Sequence, residues 1–218
     1  MIKNGIESKR RQQLIEATLH SLEEHGLQGT TVQTISHAAG LSVGIVGHYF
    51  GGKQALLEAS LRHLLKGQTL ALLQHLQGSF SPLARLDAIL QVYLSPESQL
   101  AWPARVRFDF WTQARYEPEI ARLQRIYQRR MLSHLQHALS LLVEEPLVEN
   151  LAGQLQLLIE GGLQQAALQE NPRVAFNTLT LCRALLAQSG LHLPQQAEQD
   201  TPEDQAAGQH EIKRGLLA

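Results

Sequence analysis

The sequence predicts an all-α protein of about nine helices, an N-terminal three-helix unit followed by a larger helical domain, and three observations carry that reading. Segments such as "RQQLIEATLHSLEEH", "ALLEASLRHLLKGQTLALLQHL", "PEIARLQRIYQRRMLSHLQHALSLLV" and "PLVENLAGQLQLLIEGGLQQAAL" repeat apolar residues at three- and four-residue spacing. The period-two alternation of half-buried strands is essentially missing. Breaks at His25-Gly26, Gly40, Gly51-Gly52, Ser79 to Pro82, Ser95-Pro96, Pro103, Pro118, Pro146, Asn171-Pro172 and Pro194 each supply a helix stop or start.

Taken in order, the first helix follows a basic cluster, Lys9, Arg10 and Arg11. Thr30 or Thr31 is placed to cap a short helix "VQTISHAA", Gly40 allows the left-handed residue that turns the chain, and Ser42 is placed to cap a second short helix, "VGIVGHYF". This is helix-turn-helix spacing, in which the second helix enters the major groove of DNA. Gly44 and Gly47 leave that helix few side chains to pack, which suits close approach of its backbone to DNA. Ile35, Ala39, Ile45 and Phe50 remain to hold the unit together. An ordinary helical hairpin is the competing reading.

Composition excludes several classes. The 218 residues are 44% hydrophobic and 18% charged, enough for a substantial core in one or two domains. No apolar run approaches the roughly 20 residues of a membrane span, and "MIKNGIESKRRQQ" lacks the apolar stretch of a secretion signal, so a cytoplasmic location is expected. The single cysteine, Cys182, sits in a leucine-rich helical pattern and reads as a buried thiol. The net charge of -1 conceals an asymmetry: residues 1–66 carry seven Lys and Arg against five Glu, and the rest carries twelve against fifteen acidic residues. For nucleic-acid contact, that clustering matters more than the total.

Catalytic and metal signatures are lacking: there is no G-x-S-x-G, phosphate-binding glycine loop, H-E-x-x-H or paired-cysteine pattern, so no catalytic residue, metal or cofactor is expected. His134 and His137 in "HLQH" share a helix face, but a metal there needs further ligands. A purely structural helical adaptor would not need the basic cluster and the glycine-bearing helix together.

The string "TTVQTISHAAGLSVGIVGHYFGGKQALLEA", preceded by "SKRRQQLIEATLHSLEEHG", resembles the DNA-binding domain of the TetR family of transcriptional repressors over about residues 8 to 60. "GIESKRRQQLIEATL", "GIVGHYFGGKQALLEA" and "LQRIYQRRMLSHL" are similar to the family's choline-responsive repressors of glycine betaine synthesis genes. The resemblance implies three parts: a DNA-binding domain over residues 1–52, a helical ligand-binding and dimerisation domain over 53–193, and a polar tail over 194–218 that composition reads as disordered.

It also implies roles residue by residue. Thr31 and Ser42, at helix N-termini, would meet phosphate oxygens. Tyr49 and Lys53 match phosphate contacts, and Lys9, Arg10 and Arg11 would reach the flanking backbone or minor groove. Val43, Gly44, Val46, Gly47 and His48 would face base edges, Val43 meeting a thymine methyl. The chain departs from the choline-responsive pattern at Val43 and Gly47, where small hydroxyl residues are expected, and at Gly51 and Gly52, where charged ones are.

For the C-terminal domain, the resemblance implies a homodimer through the last two long helices, about Pro146 to Leu168 and Pro172 to Ser189. Leu155, Ile159, Leu163, Leu179, Leu186 and the pair Gly161-Gly162 are the interface positions considered. The same leucines equally suit the core of a single subunit.

The stretch "AWPARVRFDFWTQARYEPE" concentrates Trp102, Phe108, Phe110, Trp111 and Tyr116 in a chain only 5% aromatic. With Asp109 or Glu160 they would form the aromatic cage and carboxylate that choline requires. Ordinary core packing is the alternative for each ring. Arg107 and Leu163 stand where the choline-responsive pattern has tryptophans.

Overall fold

The computed structural model describes residues 2–77, 81–171 and 173–193, and among these it contains ten α-helices and no strand. They are α1 (Ile2–Gly29), α2 (Val32–Ala38), α3 (Gly44–Phe50), α4 (Lys53–Leu76), α5 (Pro82–Leu94), α6 (Pro96–Ala101), α7 (Ala104–Gln113), α8 (Pro118–Leu139), α9 (Leu147–Leu168) and α10 (Arg173–Gln188). The expected count of nine falls one short because Pro96 and Pro103 each end one helix and open the next, cutting out the six-residue α6. The tail expected to be disordered, residues 194–218, lies outside the described residues.

The N-terminal punctuation works as its chemistry dictates. Gly26 interrupts α1 with φ 63° and ψ -176°. The chain is pinned there by buried Thr30, whose hydroxyl donates to the Gly26 carbonyl at 2.8 Å and lies 3.1 Å from Ser21 Oγ. Thr31 is the N-cap of α2 in a reciprocal arrangement: Thr34 N–H donates to Thr31 Oγ1 at 3.1 Å and Thr31 N–H to Thr34 Oγ1 at 2.8 Å. Gly40 adopts φ 63° at the turn, as expected. The expected Ser42 cap does not form. Val43 occupies the cap position of α3 with no side-chain bond, and Ser42 contributes only its carbonyl, to Ile45 N–H at 3.0 Å.

Two apolar cores result. The smaller comprises Leu14, Ala17, Ile35, Ala39, Val46 and Leu56, with Ile45, Tyr49 and Phe50 packed on its edge. The larger runs from Leu22 of α1 and Leu57, Leu61, Leu64, Leu65 and Leu72 of α4 through α5 to α10. Helices α1 and α4 therefore belong to both cores, and a domain boundary at residue 52 would part α4 from the core that Leu56 completes.

In the larger core, α9 and α10 lie so close that a Cβ on Gly162 would sit 2.0 Å from Thr178 Oγ1 and 2.7 Å from its Cβ. Arg183 of α10 reaches back to α5, donating from Nη2 and Nε to buried Asp87 Oδ1 at 2.8 and 3.2 Å. Leu155, Ile159, Leu163, Leu179 and Leu186 are all buried within this one chain. As interface positions they are corrected: they point inward at helical spacing and fill the subunit's own core. Cys182 is buried with them, and burial pushes its thiol up to about 12, so it stays protonated at neutral pH.

Gly162→Ala should destabilise the protein by about 1–3 kcal/mol, because the β-branched Thr178 cannot swing clear. Gly153→Ala, on the same helix with open space around its position, should be neutral or stabilising by up to about 1 kcal/mol. Urea unfolding followed by circular dichroism compares them, and equal effects would contradict the close α9–α10 packing.

Candidate DNA interface and effector site

Helix α3 divides sharply between an inner and an outer face. Ile45, Val46, Tyr49 and Phe50 turn toward α1, α2 and α4, while Ser42, Val43, Gly44, Gly47 and His48 are exposed. Val43 is 50% exposed, and nothing lies within 4 Å of a Cβ built on Gly44 or Gly47. Val46 is 0% exposed. Its expected contact with base edges is therefore corrected: it packs into the smaller core with Leu14, Ile35 and Leu56 and holds α3 in place.

The basic cluster also splits. Lys9 and Arg10 are exposed on α1, Arg10 donating from Nη1 to Gln13 Oε1 at 2.8 Å. Arg11 is turned inward, where its Nη1 donates to the Tyr49 carbonyl and its guanidinium carbon lies 4.3 Å from the centre of the Phe50 ring. Arg11 thus clamps the C-terminal end of α3 to α1, half-buried where Lys9 and Arg10 are exposed. Tyr49 is half-buried, edge-on to His48 at 4.8 Å, and Lys53 Nζ donates to the Leu27 carbonyl at 3.4 Å from the first turn of α4. Thr31, half-buried, keeps its position at the start of α2.

In the larger domain, two narrow clefts flank Leu65 of α4 and Tyr127 of α8. One is a narrow crevice, partly open to solvent, with room for little more than a single water, and its walls include Leu61, Trp102, Phe110, Trp111, Leu123 and Tyr127. The other, likewise narrow and partly open, is walled among others by Gln68, Tyr93, Arg130 and His134. Burial, Arg130 and His137 lower the His134 pKa, so this imidazole is neutral at pH 7.

Of the expected cage, Trp102, Phe110 and Trp111 do converge on the first cleft. Phe108 is half-buried against the main core without lining it. Tyr116 is 76% exposed beyond the end of α7 and is corrected as a cage residue. Asp109 is corrected as well, because it projects from the other side of α7 toward α1. There, Arg105 and the Leu27 backbone N–H partly offset the upward push of burial on its carboxyl. Glu160 is half-buried and lines neither cleft, accepting from Gln156 Nε2 at 3.1 Å and Gln128 Nε2 at 3.4 Å. Burial pushes its carboxyl up against the pull of those two amides.

Two members of the site were not selected from sequence. Tyr127 is edge-on to Trp102 at 5.6 Å and tilted against Trp111 at 6.4 Å. Its signal lay in the stripe Ile120, Leu123, Tyr127, Met131, Leu135, which is the buried face of α8. Arg107 is fully buried, its guanidinium carbon 4.4 Å from the centre of the Trp102 ring and its Nη1 donating to Tyr127 Oη at 3.3 Å.

A small helix-turn-helix head with a bare, outward-facing second helix, built on an all-helical body with a ring-lined cleft, defines a ligand-sensing DNA-binding regulator. Comparison with known proteins agrees. Residues 14–60 match the family model for bacterial regulatory proteins of the tetR family, and residues 82–201 match that for the C-terminal part of the BetI-type transcriptional repressor. The HTH-type transcriptional regulator BetI of Burkholderia thailandensis is 37% identical over 174 residues, covering 79% of this chain and 89% of the relative. A TetR transcription regulator from Haloarcula marismortui has the same fold, with a TM-score of 0.76 at 20% identity over 83% of this chain and 98% of that one. So does a transcriptional regulator from Saccharomonospora viridis, solved in complex with choline, with a TM-score of 0.70 at 17% identity over 83% and 96%.

The chain belongs to the TetR family of bacterial transcription regulators and carries a BetI-type C-terminal domain. It is a DNA-binding repressor, not an enzyme.

Arg10→Ala should weaken binding to operator and random duplex by similar factors and reduce the salt slope by about one, as loss of a phosphate contact does. Arg11→Ala should instead lower thermal stability. Gly47→Leu should leave stability unchanged or raise it by about 1 kcal/mol yet impair DNA binding, because the new side chain projects from the outer face of α3. Anisotropy titrations at several salt concentrations, read beside melting curves, separate the three. Unaltered DNA affinity in Gly47→Leu would remove α3 from the interface.

Proposed function

We propose that the protein works in the cytoplasm as a homodimer that holds operator DNA with the outer faces of α2 and α3 and lets go when a small quaternary ammonium effector enters the Trp102–Phe110–Trp111–Tyr127 cleft. The convergence of those four rings on one cleft carries this reading, since aromatic faces attract onium groups. The resemblance to choline-responsive repressors supports choline or its oxidation product glycine betaine as the effector class. Among the described residues no helix is long and apolar enough to cross a membrane, as suits a protein acting on DNA.

The dimer face is the outward stripe of α9, with Leu157, Gly161 and Leu168, and its neighbours Phe176 and Leu181 on α10. Leu157 is 73% and Leu181 57% exposed, and Gly161 has nothing within 4 Å of an added Cβ. Such a row of exposed apolar side chains beside a glycine suits a second copy packing its own α9 and α10 antiparallel across a twofold axis. Two recognition helices then reach successive major grooves about 34–36 Å apart.

Release requires the effector to bind the non-operator arrangement more tightly than the operator-competent one, since equal affinity would shift nothing. Leu61 and Leu65 of the cleft lie on α4, and Leu56 on the same helix anchors the DNA-binding head. An effector wedged against α4 therefore tilts the head.

Trp111→Leu should weaken the effector by several-fold, corresponding to about 0.5–2 kcal/mol of cation–π attraction, and leave operator binding without effector intact. Leu157→Glu combined with Leu181→Glu should produce monomers in sedimentation and lower operator affinity. Anisotropy with the DNA upstream of the gene, titrated with choline and with glycine betaine, tests the whole. Failure of both compounds to release DNA at millimolar concentration would overturn the effector class.

A further inference from the structure

Among the described residues, Arg107 is a buried cation that forms no ion pair. It is 0% exposed, and none of the ion pairs among the described residues includes it. Its hydrogen bonds are long and lead to neutral atoms, Nη1 to Tyr127 Oη at 3.3 Å and Nη2 to the Trp102 carbonyl at 3.4 Å, while Nε–H has no partner among the described residues. A second buried donor stands beside it: Trp102 Nε1–H is also unpartnered, and the guanidinium carbon lies 4.4 Å from the centre of that ring. Buried polar groups are normally hydrogen-bonded and buried charges normally paired, so two adjacent orphan donors, one of them charged, call for an acceptor. The rings concerned, Trp102 and Tyr127, are walls of the effector cleft, and Arg107 lies against them without itself lining it.

The same geometry bears on a free cation. Arg107 already lies against Trp102 and, at 5.9 Å, against Tyr127, so a ligand carrying only positive charge would meet a like charge in a poorly hydrated setting. Phe110 and Trp111 remain clear of it and can take an onium or apolar group. We infer that the effector is a small zwitterion: its carboxylate accepts from Arg107 Nε–H and Trp102 Nε1–H, and its quaternary ammonium end rests on Phe110 and Trp111. This rests on the reading of the cleft as the effector site and adds to it the ligand's negative pole. The carboxylate supplies the missing counter-charge, and its bonds to a charged donor are of the stronger kind.

Calorimetry on the full-length dimer with glycine betaine, choline and 3,3-dimethylbutyrate tests this. On the unaltered protein, glycine betaine should bind at least about tenfold more tightly than choline, the difference one charge-assisted hydrogen bond makes. It should also bind several-fold more tightly than 3,3-dimethylbutyrate, which keeps the carboxylate but not the charged head. Arg107→Gln should abolish the preference for glycine betaine over choline, and Arg107→Lys, which keeps the charge without Nε–H, should retain part of it. Choline binding as tightly as or more tightly than glycine betaine on the unaltered protein would overturn the inference and leave the onium effector site standing, a comparison that needs no variant to fold. Equal losses for both ligands in Arg107→Gln would also overturn it, and no heat with any of the three would overturn both readings.

Discussion

Leu56 and Leu57 are consecutive residues of α4, yet they are buried in different cores, the first with Leu14, Ile35 and Val46 and the second with Leu61, Leu90 and Phe110. The same division occurs on α1 between Ala17 and Leu22. A helix resists bending at any one turn, so the two cores cannot move independently. Whatever displaces α4 in the sensing domain must reorient the helix-turn-helix head, because no flexible linker separates them. The division of labour within α3 depends on this too. Val46, Tyr49 and Phe50 are committed to the smaller core, and Arg11 locks the helix end through the Tyr49 carbonyl and the Phe50 ring, which frees Val43, Gly44, Gly47 and His48 to face outward.

Helix α7 is the second connection between cleft and head. At about 100° per residue, Arg107, Phe110 and Trp111 fall on one side of it and Arg105 and Asp109 on the other. The first side meets the cleft and Tyr127; the second meets α1 at Gly26 and Leu27, where the helix is interrupted. Lys53, at the start of α4, reaches the same point through the Leu27 carbonyl. The interruption in α1 is thus held from α4 and α7 together, the two helices that also wall the cleft.

Much of this was legible in the sequence. Thr31, Gly26 and Gly40 act through local backbone chemistry, which a sequence displays directly, and the cleft rings Trp102, Phe110 and Trp111 stood out by their concentration. Helical rotation explains the misassignments. Leu155, Ile159 and Leu163 recur at four-residue spacing on one face of α9, and that face is the subunit core. Leu157, Gly161 and Leu168 lie opposite and carry the exposed surface. Asp109 was grouped with aromatic neighbours from which the helix turns it away. Arg107 was harder to foresee. A charged residue in an amphipathic pattern reads as solvent-facing, and only the tertiary placement of Trp102 and Tyr127 makes an interior position for its guanidinium.

The central claim is that occupancy of the cleft changes the separation of the two recognition helices through α4 and α7. A nitroxide label at Glu16→Cys reports it, since Glu16 is exposed on α1 of the same head, outside the residues assigned to the DNA face, and the buried Cys182 thiol stays protonated and unreactive. Electron–electron double resonance between the two labels of a dimer, free, operator-bound and saturated with the compound that releases operator, gives the distance distribution in each state. The account predicts a narrow distribution on the operator and a distribution displaced or broadened by several ångströms once the compound binds. Identical distributions in the operator-bound and effector-saturated states, with DNA nonetheless released, would contradict it.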